Sequence, residues 1–161
     1  MWQELARLLA ALITQYQKLQ KLNEEKRGIL VLVKLQELEK LVRQEEDVIK
    51  VINQTEKQRQ ELMARMAAGG VKVAPDMRMD AVWSQCPERQ QRETLHKLHK
   101  MLGKLVAEVQ EASANNEILI ASALEAINYR LNQLGGSTVE PAYGSRGQEQ
   151  VSHVKNFDLE V

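Results

Sequence analysis

From Leu98 to Ala126 the seam residues recur at alternating intervals of four and three: Leu98, Leu102, Leu105, Val109, Ala112, Asn116, Leu119, Ala123 and Ala126. That spacing lines up on one stripe of an α-helix, whereas a strand face needs a period of two. Beyond Asn116 the stripe broadens to include Ile120, Leu124, Ile127, Leu131 and Leu134. Pro87 suits the first turn of a helix and Gly135-Gly136 suits its stop. The spacing therefore predicts one helix over residues 88–134, about 70 Å long at 1.5 Å per residue. A helix that long buries its stripe only against other long helices.

The same spacing supplies two more helices, each about 50 Å long. Over residues 2–32 the seam is Leu5, Leu8, Leu12, Leu19, Leu22, Ile29 and Val33, interrupted by Gln15 and Lys26. Over residues 35–67 it is Leu38, Val42, Glu45, Ile49, Ile52, Glu56, Arg59, Met63 and Met66. Gly28 weakens the first helix and puts the turn between the two near residues 28–34. Gly69-Gly70 closes the second, and Pro75-Asp76 opens a short helical turn over residues 77–85. Its apolar face is Met77, Met79, Val82 and Trp83, and it is expected to fold against the bundle end.

These elements give an all-α chain: an elongated antiparallel bundle of three long helices plus a short helical turn, over residues 1–134. Residues 135–161 hold Gly, Ser, Pro and Gln with little apolar content and form a flexible C-terminal tail that is disordered alone. Its spaced apolar residues, among them Tyr143, Val151, Val154 and Phe157, suit a segment that folds on a partner. The last part of the third helix overhangs its neighbours. Its stripe must meet the short turn, a second copy of the chain in a homodimer, or a foreign partner.

Composition agrees. Aromatics are 4 % of the 161 residues, so aliphatic side chains carry the core. Lys+Arg and Asp+Glu are both 22, which leaves no field to attract nucleic acid or anionic lipid. No apolar run is long enough for membrane insertion, and the N-terminus, with Glu4 and Arg7 inside its apolar part, lacks the form of a signal peptide. A single cysteine, Cys86, excludes an internal disulfide and suits a reducing cytoplasm.

Nothing in the sequence assembles a catalytic site. No nucleophile elbow or phosphate-binding glycine loop occurs, and Cys86 reads as a small residue beside an apolar turn. His96 and His99 are three apart, without the four-residue spacing and third ligand of a helical zinc site. No cofactor or metal is expected. Glu56 and Arg59 read either as a partly exposed ion pair or as a buried pair that fixes register. Asn116 reads either as a register device inside the bundle or as a partner-facing group.

The order of these features resembles the FlgN-type flagellar export chaperones. LQELEKLVRQEEDVIKVINQTEKQRQELM is similar to the second helix of that family, including its Glu-x-x-Arg, here Glu56 and Arg59. NNEILIASALEAINYRLNQL is similar to the third, where Asn116 precedes an apolar run. PAYGSRGQ resembles the family's tyrosine–glycine tail element, here Tyr143, Gly144 and Gly147. The resemblance covers essentially the whole chain. It implies a cytoplasmic chaperone that holds the amphipathic C-terminal helix of hook–filament junction proteins and hands it to the type III export gate. It associates gate docking with Tyr143, Gly144 and Gly147, and substrate binding with the end of the third helix and the tail. Leu124, Ile127, Leu131, Leu134, Val151, Val154 and Phe157 are the apolar residues available there. The competing reading is a structural coiled-coil adaptor unrelated to secretion, which gives the tail no role.

Overall fold

A computed structural model describes residues 1–32, 34–72 and 79–134. Four helices follow in order: α1 (Trp2–Val31), α2 (Leu35–Ala68), α3 (Met79–Trp83) and α4 (Arg89–Leu134). No strand occurs among the described residues. The three long helices match the expected spans to within a residue or so at each end. Of the short turn expected over residues 77–85, Met79–Trp83 is helical, and Met77 lies outside the described residues.

The chain divides into two compact units, residues 1–119 and residues 120–161. The first holds α1, α2, α3 and α4 as far as Leu119. Of the second, the structure describes residues 120–134 of α4.

Cross-helix polar contacts give the directions in the first unit. Glu4 on α1 meets Arg65 on α2 at 2.6 Å, and Lys26 on α1 meets Glu45 on α2. The partner's number falls as that on α1 rises, so α2 runs antiparallel to α1. Gln20 meets Glu108 at 3.2 Å and Asn23 meets Asn116 at 2.9 Å. Here both numbers rise together, so α4 runs parallel to α1 and the order is up, down, up.

The helix ends follow from local chemistry. At the end of α2, Val71 N–H donates to Met66 O at 3.0 Å and Gly70 N–H to Ala67 O at 3.1 Å. This is the Schellman arrangement, and it needs a left-handed residue, which Gly70 supplies with φ 91°. Near Gly28 the helix does not break. It continues to Val31, and Leu32 closes it by donating to Gly28 O at 3.3 Å.

The apolar core sits where α1 begins, α2 ends and α4 begins. Leu5 and Leu9, Leu62 and Met66, Trp83 and Leu95 form one buried cluster, one or two residues from each helix. α3 contributes Trp83, which packs against the bundle end as its apolar face suggested. His99 lies 4.6 Å from the Trp83 ring, tilted against it, and His96 meets the same ring edge-on at 6.5 Å. Cys86 is buried, and its backbone N–H donates to Trp83 O at 2.9 Å.

The α2 seam keeps Glu45, Ile52 and Met66 of the expected seam and departs from it elsewhere. Leu41, Glu45, Ile52, Thr55, Leu62 and Met66 are buried, whereas Val42 and Ile49 are exposed. Apolar neighbours at 41–42, 48–49 and 62–63 make two phases equally good in sequence. Contact with α1 selects the earlier residue of each pair. On α1 the buried face is wide, including Leu9, Leu12 and Ile13, because both α2 and α4 lie against it.

Candidate partner-binding surfaces

At two places a polar interruption of a seam pairs with a polar group on a neighbouring helix. Lys26 and Glu45, each expected on a different seam, form an ion pair whose side chains are 15 % and 9 % exposed. Asn116 is buried and donates its amide to the backbone oxygen of Asn23 at 2.9 Å and to its Oδ1 at 3.1 Å. Asn23 in turn donates to Leu19 O at 3.1 Å. Asn116 thus faces the bundle interior. Its partner Asn23 was not evident from sequence, because the adjacent Leu22 fits the α1 seam better.

Arg59 donates to Glu56 at 2.8 Å within α2, and the two side chains are a quarter to a third exposed. A pair inside one helix adds a few tenths of a kcal/mol to that helix. Glu56 also acts on Tyr16 of α1. Partial burial, and secondarily the Glu56 carboxylate, push the Tyr16 phenol above its ordinary pKa.

A groove of about 800 Å³ lies between α2 and α4, floored by Leu9. Met63 and Ala64 line one wall, Leu102 and Val106 the other, and Met79 and Val82 of α3 also line it. Glu56, Arg59 and His99 add polar groups. Gly103 belongs to the α4 wall, and a Cβ built there meets nothing within 4 Å, so packing inside the chain does not require glycine. Three helices and α3 together make this groove, and no single-helix pattern announces it.

In the second unit three residues of the apolar stripe are open to solvent. Leu124 is 56 % exposed, Leu131 59 % and Leu134 86 %, and Ile127 is half-buried. Tyr129 is also exposed and accepts a hydrogen bond from Gln133 at 2.8 Å. Tyr143, Gly144, Gly147, Val151, Val154 and Phe157 lie outside the described residues.

Among the described residues, no group of three or more His, Cys, Asp or Glu could hold a metal ion. No described helix is long and apolar enough to cross a membrane. These surfaces are apolar ridges and a groove on a helical scaffold, with few polar groups among them. The class is therefore an all-helical bundle protein that presents apolar surface.

A family model described as FlgN protein matches residues 1–150, and the chain belongs to the FlgN family. No curated protein and no solved structure matches. The family is one of flagellar export chaperones, not of enzymes, and that is the general kind of function this chain has.

Proposed function

We propose that this chain is a cytoplasmic chaperone for flagellar hook–filament junction proteins. It binds their amphipathic C-terminal helix, prevents premature assembly and delivers them to the type III export gate. The observation that carries this reading is the run of Leu124, Ile127, Leu131 and Leu134 at intervals of three and four, three of them more than half exposed. A ridge with that spacing suits a helix laid along it. Val151, Val154 and Phe157 extend the apolar grip into the tail. Tyr143, with Gly144 and Gly147 beside it, is the aromatic anchor for the gate, the kind of residue that dominates a small interface. The proposed division leaves substrate on the apolar stripe and the gate on the tyrosine element.

Titration calorimetry with a peptide of a junction protein's C-terminal helix tests the reading. Each leucine is worth about 1.5–3 kcal/mol when fully covered. The variant Leu124→Asp/Leu131→Asp should therefore bind at least about tenfold more weakly, with unchanged helix content by circular dichroism. Tyr143→Ala should weaken binding to the cytoplasmic domain of the gate and leave peptide affinity intact. Unchanged peptide affinity in the double variant would remove the stripe from the proposal. Equal losses in both assays for Tyr143→Ala would remove the division of labour.

A further inference from the structure

Along α4 the buried contact with the rest of the first unit changes in chemistry. Where α1 and α4 begin, the contact is the apolar cluster of Leu5, Leu9, Leu62, Met66, Trp83 and Leu95. Along residues 110–119 of α4 the only buried side chain is that of Asn116, and Ile118 is 65 % exposed. Asn116 holds α1 by donating to Asn23 O and Oδ1. Nearby, Gln20 donates to Glu108, which also lies 3.5 Å from Lys104. Among the described residues, no buried side-chain polar atom lacks a hydrogen-bond partner.

Apolar contacts and amide contacts differ in what happens on opening. Separating the apolar cluster exposes hydrocarbon that water cannot satisfy. Separating the amides exchanges each hydrogen bond for one to water, so the net loss is small. A contact of that kind also specifies one alignment, because a shifted register leaves the amides unpaired.

We propose that residues 110–119 of α4 form a latch that opens from α1 independently of the apolar end, with Asn23 and Asn116 as its clasp. In the closed state the clasp fixes the register of α4 on α1. In the open state the α1 face around Leu19, Leu22 and Asn23 is bared, while the Trp83 cluster stays shut. The device rests on the contacts of the first unit alone and is separate from the role given to Leu124 and Leu131.

Hydrogen exchange read by mass spectrometry on the full chain tests it. Amides of residues 110–119 should exchange about 100-fold faster than those of residues 92–105, as for a locally opening segment. Asn23→Ala removes one acceptor of the clasp from α1. It should speed exchange at residues 110–119 by about threefold or more and leave residues 92–105 unchanged. Asn23→Leu/Asn116→Leu replaces the clasp with an apolar contact and should slow the same segment by about tenfold. Equal protection along residues 92–119, or exchange at 110–119 indifferent to Asn23→Ala, would overturn the proposal.

Discussion

Removing the Glu45 charge should destabilise this fold more than removing an equally exposed apolar contact, and removing Lys26 as well should undo most of the damage. The two side chains are 15 % and 9 % exposed, so both charges are largely withdrawn from water between α1 and α2. Breaking a fully buried pair from one side costs about 3–5 kcal/mol, because the remaining charge is stranded. Lys26 is long enough to lift its ammonium toward solvent, which reduces that figure. Glu45→Gln should then cost about 2 kcal/mol, a fall of about 4–8 °C in Tm for a chain of this size. Lys26→Met/Glu45→Leu substitutes apolar groups for both charges and should be within about 1 kcal/mol of the parent, or more stable. Urea titration followed by circular dichroism gives the stabilities of the parent, Lys26→Met, Glu45→Leu and the double variant, and that cycle gives the coupling, expected at about 2 kcal/mol. Single variants within about 0.5 kcal/mol of the parent, or additive losses in the double variant, would refute the reasoning. The pair would then be a solvated contact of little consequence.

Two further outcomes follow from local geometry. Tyr16 has its phenol pKa raised in the fold, so folding favours its protonated form. That contribution is complete below about pH 10, where an unfolded tyrosine is also neutral, and is lost as pH rises through the folded-state value. Alkaline denaturation should therefore be shallower in Tyr16→Phe, and a phenolate absorbance titration of the parent should show one late-titrating group; identical curves would refute the assignment. At Gly70, φ 91° is a left-handed conformation that alanine resists, so Gly70→Ala should cost about 1 kcal/mol in urea titration. A neutral or stabilising change would contradict the Schellman cap at the end of α2.

The exposed stripe on α4 was legible from spacing, because Leu124, Ile127, Leu131 and Leu134 repeat within one helix. The groove between α2 and α4 was not, since Leu9, Met63, Leu102 and Val82 come from four helices. Glu56 and Arg59 were legible as a pair because their separation alone places them on one helical face. Asn116 was recognisable as out of place on its seam, yet its spacing left two orientations open. Only the contact with Asn23 chose the interior.

By itself the sequence determined where helices run and stop: four-three spacing sets the period, while Gly70 and Pro87 act through backbone conformation at their own positions. Those are local effects and need no partner. Tertiary structure decided the phase of α2, burying Leu41 and exposing Val42, and it decided that Lys26 would find Glu45. Phase and pairing are relations between helices. A helix with adjacent apolar residues in each turn has more than one good face, and packing energy against α1 selects between them.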